Sequence, residues 1–170
     1  MPTARPGRLI LLCGIPGSGK TTIALAIGAS LEKCVHIETD VVRGMIARPH
    51  YASAESRFVY RVSTSVAAEA LRHRYDVVLV ATFAREEFRR EAITRLGDLY
   101  EAWLMVWAWC DPFIAYYRYS QRNPRVSRES FMRLWSAFDP PKDALVIDSR
   151  GTPPEEAARK IIATFGEKAV

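Results

Sequence analysis

Residues 14–21 read Gly-Ile-Pro-Gly-Ser-Gly-Lys-Thr, and no other stretch constrains the fold of this chain as tightly. The spacing is G-x-x-x-x-G-K-[ST], a loop that cradles phosphate. With glycine usage near 7%, it should arise by accident in roughly one chain of this length in a few hundred. Its surroundings agree. Before it, residues 9–13 (Leu-Ile-Leu-Leu-Cys) form a short apolar run bounded by glycines, as expected of a buried parallel strand. After it, Ile23, Ile27 and Leu31 recur every four residues, one face of a helix. A ligand-free glycine turn closing a βα unit is the alternative reading.

Each residue type has a chemical reason. Glycines let the backbone approach a phosphate closely and adopt positive φ where needed. The loop N–H groups and the helix N-terminus then face the anion. Gly14, Ile15, Pro16, Gly17, Ser18, Gly19, Lys20, Thr21 and Thr22 are therefore expected to hold ATP, with Lys20 at the β- and γ-phosphates. The Thr21 hydroxyl is expected to hold Mg²⁺.

The rest of the chain alternates strand and helix signals. Residues 35–38, 77–80, 102–110 and 145–147 read as further strands. Between them lie a short helix over 41–47 and a longer one capped at Ser53, with Val59, Val62, Val66 and Ala70 on its apolar face. Another helix carries Phe88, Ala92, Leu96 and Leu99. Asp111-Pro112 has the form of a cap with proline at the first helical position, opening a helix to about 121 that stops before Asn123-Pro124. Ser127 opens the next, with Phe131, Leu134, Trp135 and Phe138 on one side. Thr152 and Glu155 have capping-box spacing for a last helix bearing Ala158, Ile161, Ile162 and Phe165. Five strands alternating with helices predict an α/β fold of the P-loop NTPase kind. It has a five-stranded parallel sheet with helices on both faces. Trp103, Trp107 and Trp109 share one strand face and read as packing residues rather than a base-stacking platform.

At 170 residues the chain is most simply one domain, 1–170. No apolar run approaches the ~18 residues of a membrane span. Arg5 and Arg8 precede an apolar stretch as in a secretory signal, but that stretch is too short and runs into the glycine loop. Cys13, Cys34 and Cys110 are odd in number and far apart, as reduced thiols of a cytoplasmic protein would be. The net charge is +5, and 19 of the 24 basic residues are arginine. That composition suits phosphate handling, although charge alone does not separate nucleotides from nucleic acid.

In such a sheet, ligands gather beyond the carboxyl ends of the strands. Asp40, after the second strand, is the candidate general base for a hydroxyl acceptor, and it can also cap the helix that follows. Arg43 shares its helical turn and is expected to pair with it or bind the acceptor. Thr82 and Arg85, in and after the turn that ends the third strand, are the other acceptor-side candidates. Asp111 reads mainly as a cap. Arg118, Arg122, Arg125, Arg128 and Arg133 face a single acid, Glu129, across two helices. This stretch, about 115–138, reads as an arginine-rich lid over the triphosphate, with a solvated basic face as the alternative.

Four places together resemble the small P-loop kinases that include polynucleotide kinases, zeta toxins and kinases of the AAA-domain type. They are the loop at 14–21, the D-x-x-R of Asp40 and Arg43, Ala81-Thr82-Phe83 with Arg89 downstream, and the lid followed by Phe138-Asp139-Pro140-Pro141. The resemblance implies that Asp40 is the base, Arg43 contacts the acceptor, and Arg122 contacts the phosphates of ATP; Arg118 is a further candidate for ATP in the same lid. It implies transfer from ATP to a polynucleotide 5′-hydroxyl or to a small phosphate-bearing molecule. One departure stands out: Val80 occupies the place where relatives carry an aspartate that helps with metal or acceptor. An ATP-binding switch or ATPase without an acceptor is the competing function.

Overall fold

The computed structural model describes residues 5–50, 52–123 and 125–167. Five strands form one all-parallel sheet: β1 (Leu9–Cys13), β2 (Cys34–Glu38), β3 (Asp76–Val80), β4 (Trp103–Trp109) and β5 (Leu145–Asp148). Their order across the sheet is β2-β3-β1-β4-β5, so the strand leading into the glycine loop is central. All five β1 residues are buried, which is why they read as an unbroken apolar run.

Helices cover both faces. On one side, α1 (Lys20–Ala29) and α7 (Pro154–Glu167) bury Ile23, Ile27, Ala158 and Ile161 against Ile10, Leu12, Val78 and Val106. On the other, α3 (Ser53–Arg72) and α4 (Glu86–Leu96) bury Ala67, Leu71, Phe88 and Leu96 against Leu9, Leu11, Val77 and Leu79. The short α2 (Thr39–Gly44) follows β2 directly. The lid consists of α5 (Pro112–Arg122) and α6 (Arg128–Ser136), joined to the body through a small cluster of Ile15, Cys110, Ala115 and Phe131. Among the described residues no helix is long and apolar enough to cross a membrane, and the three cysteines are free.

Several local expectations change. The cap of α3 is Ala52, and Ser53 is its first helical residue. Its buried stripe runs through Val59, Ser63, Ala67 and Leu71, whereas Val66 is 47% exposed. Ser63 and Thr64 can enter the core because their hydroxyls donate to the carbonyls of Val59 and Tyr60, at 2.9 and 2.7 Å. In α6 only Phe131 is buried, since the lid packs on the body along one narrow seam, and Leu134 and Trp135 stay exposed. The last helix starts at Pro154, one residue later than a cap at Thr152 would give. Of the tryptophans, Trp107 stacks on Phe138 at 6.0 Å and Trp109 lies under the Arg150 guanidinium at 4.5 Å, while Trp103 is exposed. Asp111 caps α5 as expected, accepting from the N–H groups of Phe113 and Ile114 at 2.9 and 3.3 Å. Ser127 does the same for α6 through Ser130. Pro124, expected to separate the lid helices, lies outside the described residues.

Candidate active site

The glycine loop links β1 to α1 and turns through positive φ at Gly14, Gly17 and Gly19. A side chain at Gly17 is excluded twice, by its φ of +80° and by the Ala115 carbonyl oxygen, which a Cβ would meet at 2.0 Å. The loop and the first lid helix thus touch backbone to backbone. Lys20 folds back along the loop and donates to the carbonyls of Gly14 and Ile15 at 2.8 and 2.9 Å. Burial pulls its ammonium down to about 8, against the charges of Asp40 and Glu38, which raise it. The Ser18 hydroxyl is buried without a hydrogen-bond partner.

A cavity of about 710 Å³ opens above this loop, beyond the carboxyl ends of the strands. It brings together Lys20 and Thr21 at the start of α1, Asp40 in the first turn of α2, and Arg118 and Arg122 on α5. Pro16, Gly17, Gly19 and Thr22 also line it, whereas Gly14, Ile15 and Ser18 form the loop wall behind. Asp40 is exposed to the cavity. Arg118 is steadied by the Ser149 hydroxyl at 3.3 Å, and Arg122 sits one turn further out and is exposed.

The other three lid arginines are elsewhere. Arg128 stacks on Phe113 at 5.0 Å, Arg133 pairs with Glu129 at 2.9 Å, and Arg125 is exposed in the connecting turn. The lid reading therefore fits Arg118 and Arg122, and the basic-face reading fits the rest.

The acceptor-side candidates divide as well. Asp40 lines the cavity; Arg43, Thr82 and Arg85 do not. Arg43 is buried, where it pairs with Glu55 and donates to the Ser56 hydroxyl at 3.2 Å, bracing α2 against α3. Arg85 pairs with Glu87 on the surface at 3.5 Å. Thr82 is half-buried, and its carbonyl accepts from the Gly14 N–H at 3.4 Å. Arg89 is buried and donates to the carbonyls of Phe83 and Asp139 at 2.8 and 2.7 Å and to the Asp139 carboxylate at 3.0 Å. That grip fixes the loop after β3, where Phe83 has a φ of +46°, to the chain leaving the lid.

Sequence reasoning missed Glu38. It ends β2 and lines the cavity that Lys20 and Asp40 also line. The signal available was an acid at a strand's carboxyl end, two residues before Asp40. Among the described residues no group of three or more His, Cys, Asp or Glu could hold a metal by itself.

Solved structures share this fold. The APS kinase of Mycobacterium tuberculosis, solved with AMPPNP and APS, superposes with a TM-score of 0.81 at 17% identity over 95% of this chain and 99% of that one. A gluconokinase from Sinorhizobium meliloti gives 0.69 at 16% identity, covering 97% and 95%. A sugar kinase from Janibacter gives 0.65 at 18% identity, covering 93% and 94%. No curated protein sequence matches this chain. The model of the AAA domain family matches residues 9–141, which span the loop, Asp40, Arg89 and the lid. The chain belongs to the AAA domain family, and its fold is that of the kinases named above.

Proposed function

We propose that the protein is an ATP- and Mg²⁺-dependent phosphotransferase that moves the γ-phosphoryl group of ATP to a hydroxyl. One observation carries this reading: a single cavity is lined by Lys20 and Thr21, by Asp40, and by Arg118 and Arg122. Phosphate grip, base and charge neutralisation then act on one volume.

The residues fit both nucleotide and metal. Lys20 is held by two loop carbonyls that a β/γ-phosphate can replace as partner. The Thr21 hydroxyl offers a hard oxygen donor that Mg²⁺ takes alongside water and phosphate oxygens. A divalent cation bound there offsets negative charge on those phosphate oxygens. In the reaction, Lys20 turns from its carbonyls to the phosphates. Asp40 accepts the proton of the acceptor hydroxyl as that oxygen attacks the γ-phosphorus, and the bond to the β–γ bridging oxygen breaks to leave ADP. Arg122 takes up charge on the transferring group, and Arg118 holds the nucleotide phosphates.

The sequence points to a polynucleotide 5′-hydroxyl or a small phosphate-bearing acceptor. Either calls for cations beside Asp40. Arg43 is occupied by Glu55 and Ser56, Arg85 by Glu87, and Glu38 adds a carboxylate to the cavity. This arrangement favours an acceptor that is neutral where it meets Asp40. ATP as substrate and three free thiols fit the cytoplasm.

The test incubates labelled ATP and Mg²⁺ with neutral sugars and nucleosides, phosphorylated metabolites and 5′-hydroxyl oligonucleotides. Label moving to an acceptor supports the reading. Label released only as inorganic phosphate across the whole panel makes the protein an ATPase.

A further inference from the structure

In the parallel pairing of β2 with β3, Glu38 lies opposite Val80. Residues in register on neighbouring strands point to the same face of a sheet. Val80 packs in the cluster that contains Ile23, Ala24 and Ile27 of α1, so Glu38 is directed to the α1 face, where Thr21 lies in the first turn of the helix. Both residues line the nucleotide cavity together with Lys20 and Thr21. The acid missing from β3 therefore has a neighbour of the right charge one strand away. Strands lie ~4.8 Å apart, and glutamate is one methylene longer than aspartate, which shortens that offset. Magnesium keeps several of its waters, so a carboxylate can serve it through a water without direct contact.

The surroundings of Glu38 suit this task better than a purely structural one. Its side chain is only 18% exposed, and a carboxylate so placed calls for a cation. His36 lies beside it, Nε2 3.1 Å from Oε1, an ion pair only when the imidazole is protonated and without a hydrogen bond. Its charge is also felt by Lys20. No backbone N–H or arginine claims it as a cap or a clamp among the described contacts, in contrast to Asp111 and Asp139.

We propose that Glu38 supplies the carboxylate that β3 lacks at Val80, holding a water of the divalent cation that accompanies the nucleotide. Asp40, exposed two residues further on, is left to act as base. The assignment rests on the phosphotransferase reading and deepens it, because it divides two acids between metal and acceptor.

Mn²⁺ reports the metal without turnover. Mn²⁺ is titrated into the protein saturated with a non-hydrolysable ATP analogue, and free ion is read by electron paramagnetic resonance. Glu38→Gln should weaken Mn²⁺ in the ternary complex roughly 10–100-fold, as loss of an outer-sphere partner does. Its metal-free binding of the analogue should not weaken, because a negative charge is removed from beside the phosphates. Adding Val80→Asp to Glu38→Gln should restore most of the Mn²⁺ affinity. Thermal unfolding of each variant checks that the fold is kept. Wild-type Mn²⁺ affinity in folded Glu38→Gln overturns the proposal, as does a folded double variant that recovers nothing. If the double variant does not fold, Glu38→Gln decides alone. A wild-type protein that fails to bind the analogue at all would instead remove the phosphotransferase reading.

Discussion

Arg89 grips Asp139 twice, by the carbonyl oxygen at 2.7 Å and the carboxylate at 3.0 Å, across 50 residues of chain. The same guanidinium donates to the Phe83 carbonyl, so a single buried fork ties the exit of the lid to the loop after β3. Arg89→Lys should not replace it, because an ammonium on a flexible stem cannot reproduce that fork. Either Arg89→Lys or Arg89→Ala should destabilise the protein by about 2–4 kcal/mol, read by urea unfolding. A loss of activity at unchanged stability would mean that Arg89 acts on substrate.

Lys20 combines a lowered pKa with a coming partner. It titrates at about 8 in the free protein, and phosphates should raise it, so nucleotide binding takes up a proton above pH 8. Affinity for a non-hydrolysable ATP analogue should be level below pH 8 and fall as pH rises beyond it. Calorimetry in buffers of different ionisation enthalpy measures that uptake directly. Lys20→Ala should remove it and abolish transfer.

Asp40 is exposed in the first turn of α2. Asp40→Asn should lower turnover by roughly 10²–10⁴-fold while ATP affinity stays near wild type. Collapse of ATP binding in this variant would move the base elsewhere.

Arg122 and Arg133 both lie in the lid, yet Arg122 lines the cavity whereas Arg133 pairs with Glu129 on the outside. Arg122→Ala should reduce kcat more than it weakens ATP binding, since charge on the transferring group is greatest in the transition state. Arg133→Ala should leave both unchanged. Equal effects would make the lid a general basic surface.

A neutral acceptor has a signature in salt. Its apparent binding constant should hardly change with ionic strength, whereas a single-stranded polynucleotide loses affinity with a log–log slope of about −0.7 per phosphate contacted. A steep slope would return the acceptor side to the arginines.

The glycine loop and the order of strands and helices were legible because both are local: eight consecutive residues, and periodicities within ten or twenty. Asp40 was legible by position, as the first residues after a strand. Other features depend on partners far along the chain. Arg43 is expected to pair with Asp40 or bind the acceptor, whereas its partners Glu55 and Ser56 arrive from α3, which no local pattern signals. Glu38 acquires meaning only from its register with Val80, which no local pattern encodes. Val66 and Leu134 look like core by spacing, but a helix buries only the stripe its neighbours cover, and the lid has few neighbours.

The contact of Gly17 with Ala115 makes the loop a fulcrum for α5. The contact lies near the first turn of the helix. At 1.5 Å per residue, Arg118 lies ~4.5 Å and Arg122 ~10 Å from that point. A swing of about 20° therefore carries the Arg122 backbone ~4 Å and the Arg118 backbone less than half as far. Any turn of α5 about that contact would therefore move its outer arginine more than twice as far as its inner one.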